Sequence, residues 1–325
     1  MQKNKQENRY YLGFDIGGTK CSIVLGSKDF EIHEKIVFPT RTAERGYVEI
    51  INEFNKHTYA LFEKYDKNKL IKIGISCGGP LDSEKGIIYS PPNLPGWDSV
   101  SIVDIFKEEL GVDVEVQNDA NACALAEWMM GAGVGTKNMI FLTFGTGMGA
   151  GLILNGRLYT GTNDLGGEVG HIRMAEDGPV GFGKAGSFEG FCSGGGIAQL
   201  AKSMISAQLK SGEKVGFCPS EALIRDITAR TVFEAALSGD PLAIEIVDIS
   251  ASYLGKGLSI LIDILNPECI VIGSIYARNE AYLKPLIEKV IEREAIPAAR
   301  KVCEVVPAAL GDSIGDYAAL CVAMQ

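Results

Sequence analysis

Apolar residues along this chain fall into short runs broken by glycine, and the period of each run names its element. "YYLGFD" at 10–15 reads as a strand, "IGGT" as a tight turn and "KCSIVLG" as the returning strand. "EIHEKIVFPT" is a further strand that sets His33 on its polar face. Apolar positions 47, 50, 51, 54, 61 and 65 recur at helical spacing, on a helix that also carries His57. "LIKIGISC" is a buried strand running into "GGP", and "VDVEVQ" is another strand. "NDANACALAEWMM" then reads as a helix whose first residues sit at that strand's carboxyl end. The opening device recurs later: "NMIFLTF" is a strand, "GTGMG" a glycine turn and "AGLILNG" a returning strand. "SGDPLAIEIVDISASYLGKGLSILIDILNPE" begins with an Asp240 cap and Pro241 at the first helical position. That helix is expected to run about 24 residues and to stop at Asn266-Pro267. A buried strand "CIVIGS" follows, and "GDYAALCVAMQ" closes the chain as an apolar helix expected to pack back on the first half.

The two strand–glycine turn–strand units lie about 130 residues apart, far too long a period for a solenoid. They suggest two similar α/β halves, and 325 residues exceed what one core usually supports. The expected division is 1–118, joined by a C-terminal helix at about 312–325, and 119–311. "MQKNKQENR" reads as a short polar tail.

Composition narrows the partners. A net charge of −10 argues against nucleic acid or an anionic membrane as the main partner. Anionic small ligands stay open, because glycine turns and helix ends bind phosphate inside acidic proteins. The eight cysteines never fall closer than 18 residues apart, so the usual zinc and redox spacings are missing. Most lie in apolar runs and read as small buried hydrophobes. Free thiols, no signal peptide and no long apolar span together point to the cytoplasm.

Three stretches carry candidate chemistry. Phosphate needs backbone N–H donors that a Cβ would obstruct, so Asp15, Gly17, Gly18, Thr19 and Lys20 suit a phosphate cradle, with Asp15 available to a metal ion. Gly145, Thr146, Gly147 and Gly149 repeat that device, and Gly273-Ser274 is a third turn after a strand. Neither a Walker loop nor a Rossmann fingerprint is present. In "QNDANACALAE", Asn118 or Asp119 suits a helix N-cap, and Asp119 equally suits a general base for phosphoryl transfer. Finally "GGEVGHIRMAEDGPVGFGKAGSFEG" sets Glu168, His171 and Glu189 among glycines. Carboxylates and imidazole accept from adjacent sugar hydroxyls, whereas one histidine without nearby cysteine is poor in metal ligands.

Together these motifs resemble the ROK family of sugar kinases, within the actin-like ATPase fold, over nearly the whole chain. "FDIGGTK" is similar to the family's first phosphate loop, "FGTGMGAGLILNG" to its second, "NDANACALAE" to its catalytic motif and "GGEVGH" to its sugar-binding signature. The resemblance implies a two-domain α/β fold with a cleft between the domains. It implies a hexokinase-type reaction at the sugar's 6-hydroxyl, with ATP, Mg²⁺ and Asp119 as base. It makes Gly79, Asn93, Asn118, Glu168, His171 and Glu189 candidate sugar contacts, favours glucose and suggests a homodimer. A non-catalytic sugar sensor is the alternative; the family's repressors carry an N-terminal DNA-binding domain, and with only about nine residues before the first strand no such domain is expected here. Two departures matter. Gly181, Gly183 and Ser187 stand about where the family has three zinc-binding cysteines, so no structural zinc is expected and Phe182, Phe188 and Phe191 are expected to pin the loop. The adenosine-side Gly-Gly is here Gly273-Ser274.

Overall fold

The computed structural model describes residues 9–325, so the polar tail expected at 1–9 lies, but for Arg9, outside the described residues. The chain divides into two compact units. One comprises residues up to Val134 together with 158–166 and 312–325; the other comprises 135–157 and 167–311.

The first unit is built on strands β1 (Tyr10–Ile16), β2 (Lys20–Ser27), β3 (Ile32–Pro39), β4 (Leu70–Cys77) and β5 (Asp113–Asn118), in the order β3-β2-β1-β4-β5. The hairpin β1–β2 is antiparallel, and β4 and β5 run parallel to β1 on its other side. β1 and β4 are near-continuous apolar runs because both faces are covered. Helices Tyr47–Phe62 and Ile102–Leu110 supply Phe54 and Phe106, which pack against Phe14 on one face, Phe54 tilted and Phe106 edge-on. The C-terminal helix Ile314–Ala323 covers the other face, its backbone lying directly on Gly13 and Gly74.

The second unit repeats the topology. Strands β6 (Met139–Phe144) and β7 (Met148–Leu154) form the antiparallel hairpin, and β8 (Cys269–Ile272) and β9 (Glu304–Pro307) run parallel beyond β6, giving the run β7-β6-β8-β9 within a five-stranded sheet. The duplicated glycine turns thus close equivalent hairpins. The long helix Pro241–Leu265 starts as its sequence dictates: Asp240 accepts from the N–H groups of Leu242 and Ala243, and Asn266 ends it in the left-handed conformation. Its inner face carries Leu254, Leu258 and Ile262 into the core.

Candidate functional site

In the first unit the candidate residues collect at the carboxyl ends of parallel strands, where open α/β sheets place ligands. Asp15 is the penultimate residue of β1, in register with Ser76 of β4, and Ser76 is in register with Gln117 of β5, so Cys77–Gly79 and Asn118-Asp119 leave the sheet side by side. Asn118 is the helix cap: its Oδ1 accepts from the Asn121 N–H at 2.8 Å. Asp119 is therefore the first helical residue, with its carboxylate accepting from the Ala120 N–H at 2.8 Å. Desolvation by the surrounding protein pushes the Asp119 carboxyl up, partly opposed by the N–H groups it accepts from, although the residue keeps an exposed surface. Burial and then the charge of Asp119 push Asp15 up to about 6, against the pull of Lys20.

The first glycine turn is held from below. Gly17 donates to the Lys20 carbonyl at 3.2 Å, Thr40 Oγ1 donates to the Gly17 carbonyl at 2.5 Å, and the Thr40 N–H donates to the Thr19 carbonyl at 3.0 Å. Among the described residues, none of the turn's hydrogen bonds takes the N–H of Gly18 or Thr19. Gly18 is required by close approach: a Cβ there would stand 2.6 Å from the Asn93 carbonyl oxygen. Asn93 thus abuts the turn, on a loop anchored by the fully buried Trp97. Gly79 has no such constraint, since a Cβ there would meet only the Leu81 nitrogen, at 3.9 Å. Lys20 is exposed at the start of β2.

The second unit answers what holds Glu168, His171 and Glu189. Gly167 and Gly170 press against β7, where a Cβ on either would overlap the carbonyl of Ala150 or Met148. Ala150 donates to the Gly167 carbonyl at 2.9 Å, which fastens the short 3₁₀ turn Val169–His171 to the strand. Glu168 and His171 then project from that turn, both exposed. Glu189 sits in the short helix Phe188–Cys192, capped by Ser187, and its Oε2 accepts the Met148 N–H at 2.9 Å. The helix that carries Glu189 is thereby bonded to the second glycine turn. That turn is braced again by Gly194 and Gly195, which donate to the carbonyls of Gly145 (2.7 Å) and Thr146 (3.2 Å). Gly149 donates to Thr143 Oγ1. Gly273 caps the helix Ser274–Glu294, and a Cβ at Gly145 would stand 3.8 Å from Ser274 Oγ, so the third turn borders the second.

Three features escaped the sequence. Thr40, Gly194-Gly195 and the ties of residues 171–190 are all supporting groups; only the run "SGGG" at 193–196 signalled one of them. The aromatic anchors also need correction. Phe188 and Phe191 are buried, the latter stacked on Tyr253 with ring centroids 3.6 Å apart, but Phe182 is 81% exposed and anchors nothing. The loop is tied instead by Lys184, whose Nζ donates to the His171 carbonyl at 2.7 Å, and by Gln199, which bonds both backbone groups of Val180. Among the described residues no group of three or more His, Cys, Asp or Glu stands where it could hold a metal ion. No described helix is long and apolar enough to cross a membrane.

The ROK family model matches residues 11–325. This chain belongs to the ROK family. It is 35% identical over 312 residues to a glucokinase of Halalkalibacterium halodurans, covering 95% of this chain and 93% of that one. It is 32% identical over 307 residues to a glucokinase of Thermotoga maritima, covering 94% of both. A ROK family glucokinase from Streptomyces griseus, solved in complex with glucose and AMPPNP, superposes with a TM-score of 0.75 at 28% identity, over 97% of this chain and 99% of that one. The fold is accordingly the two-domain α/β architecture of the actin-like ATPases.

Proposed function

We propose that this chain is a sugar kinase that transfers the γ-phosphoryl group of ATP to a hexose, glucose being favoured, at the 6-hydroxyl. The observation that carries the reading is Asp119. Asn118 takes the capping role, leaving the Asp119 carboxyl, its pKa raised, at the strand ends and near enough to Asp15 to raise that residue's pKa too. Such a carboxylate accepts the hydroxyl proton as the sugar oxygen attacks, which contributes on the order of 10²- to 10⁴-fold. The remaining barrier falls to positioning and charge stabilisation. Gly17, Gly18, Thr19 and Lys20, with Gly145, Thr146, Gly147 and Gly149, supply donors to the phosphates, and Gly273-Ser274 lies on the adenosine side. Gly79, Asn93, Asn118, Glu168, His171 and Glu189 are the sugar contacts of this reading. Mg²⁺ fits the donor set: it takes hard oxygen ligands, one or two carboxylates with substrate phosphates, and Asp15 is the carboxylate that would hold it or its waters. When bound, the ion neutralises phosphate charge. Cytoplasmic location belongs to the same reading on the strength of the free thiols and the sequence's lack of a long apolar span, and a homodimer on the family resemblance alone.

A coupled assay of ADP release across aldohexoses, fructose and N-acetyl hexosamines tests the proposal. Turnover with glucose is the expected outcome. Measurable sugar binding with no turnover anywhere in the panel would overturn it in favour of a sensor.

A further inference from the structure

Phe182 is the part of the sugar-signature segment that packing does not explain. Its side chain is 81% exposed, whereas Phe188 and Phe191 nearby are buried. Its φ of 43° lies in the left-handed region, which a bulky residue rarely adopts. Glycine stands on both sides, at 181 and 183, so the turn had ready access to a residue without strain at 182. Exposure and strain together are a cost that persists where a function uses it.

The ring is nonetheless firmly mounted. Val180–Gly181 and Lys184–Ala185 pair as a two-stranded ribbon below the turn. Gln199 clasps Val180 by accepting its N–H at 3.1 Å and donating to its carbonyl at 2.9 Å. Lys184 ties the ribbon to His171. The outcome is a phenyl ring edge-to-face with the His171 imidazole, centroids 6.2 Å apart and planes at 77°. The pair makes a corner with one hydrogen-bonding wall and one apolar wall, both open to solvent.

A pyranose presents the same two surfaces, a rim of hydroxyls and a face of C–H groups. Binding sites commonly combine apolar or aromatic walls with a few placed polar groups. We propose that Phe182 is a specificity-determining stacking platform: the C–H face of a hexopyranose lies on its ring while His171 bonds hydroxyls at the sugar's edge. This rests on the reading of His171 as a sugar contact. It favours hexoses with no axial hydroxyl on the stacked face, because an axial oxygen would lift the sugar off the ring.

The test is steady-state kinetics of the full chain and its Phe182→Ala, Phe182→Trp and Phe182→Gly variants, with calorimetric titration of glucose. Phe182→Ala should raise the glucose KM and Kd about tenfold, the size of one aromatic contact, with kcat and the ATP KM within about twofold of the parent. Phe182→Trp should restore affinity to within about threefold. Melting temperatures should not fall in any variant, and should rise in Phe182→Gly as the strained backbone relaxes. An unchanged glucose KM and Kd in Phe182→Ala would refute the platform while leaving the kinase reading intact. A fall in melting temperature would refute it by making Phe182 a structural anchor, and so would a loss of oligomer in sedimentation with unchanged glucose affinity. If the parent chain neither binds nor phosphorylates any hexose, the functional reading itself fails and the platform falls with it.

Discussion

At the scale of single residues, the proposed reaction assigns different work to two carboxylates. Asp119 owes its availability to its neighbour, since Asn118 does the capping that either residue type can perform. Asp119→Asn keeps size and the Ala120 contact but removes the base. Turnover should drop on the order of 10² or more while glucose still binds, measured by kcat beside calorimetric Kd. Near-parental turnover would reduce Asp119 to a helix-terminal acid. Asp15 carries a folded-state pKa of about 6 against 3.8, because burial and Asp119 disfavour its charge. A raised carboxyl pKa means the folded state binds its proton more tightly, so stability is lost as pH rises from about 4 through about 6. Asp15→Asn should therefore melt above the parent at pH 7.5, the gap closing toward pH 4, while catalysis is lost. A gap that stays constant with pH would show that the carboxyl is not held up as described.

At the scale of elements, the glycines of "GGEVGH" prove to be packing residues that let a turn lie on a strand. Gly170→Ala would drive a Cβ into the Met148 carbonyl. It should cost about 1–3 kcal/mol, the range of an overpacked core, seen as a lower urea midpoint and a weaker glucose Kd. Glu189 ties the same strand's first N–H to the sugar signature. Glu189→Ala should raise the KM for ATP as well as for glucose, because the second glycine turn loses its brace. Glu189→Gln keeps an oxygen that can accept from Met148 and should spare the ATP KM. An effect on glucose alone in both variants would rule out the coupling. The segment's ties are Lys184, Gln199 and the buried Phe188 and Phe191. We therefore expect no stoichiometric zinc by elemental analysis of protein purified without chelator, and an unchanged melting temperature after chelation.

At the scale of the whole molecule, one topology is used twice: an antiparallel glycine hairpin with parallel strands beyond its first strand. The first unit is completed from the far end of the chain, since the C-terminal helix seals one face of β1 and β4. That helix is apolar almost throughout, with Leu320, Cys321 and Val322 fully buried. Deleting residues 312–325 uncovers both strands, and the product should be insoluble or unfolded by circular dichroism. A soluble, cooperatively melting product would show that the helix is dispensable.

What the sequence determined by itself was whatever local physics decides. Period-two and helical apolar spacing located the hairpins and helices, and Asp240-Pro241 and Asn266 marked the ends of the longest helix because caps act on their own turn. The duplication of the glycine turns was legible because each turn sits between its own two strands. Tertiary structure decided what depends on distant partners. Asn118 and Asp119 are equivalent as capping types, and only the helix's exit from β5 chose between them. Thr40 supports the first turn because strand pairing returns it there, and Glu189 meets Met148 across 41 residues. Phe182 reads as hydrophobic in any sequence window. Its place at the tip of a clasped ribbon, with glycine to either side and nothing to cover it, put it in water instead of the core.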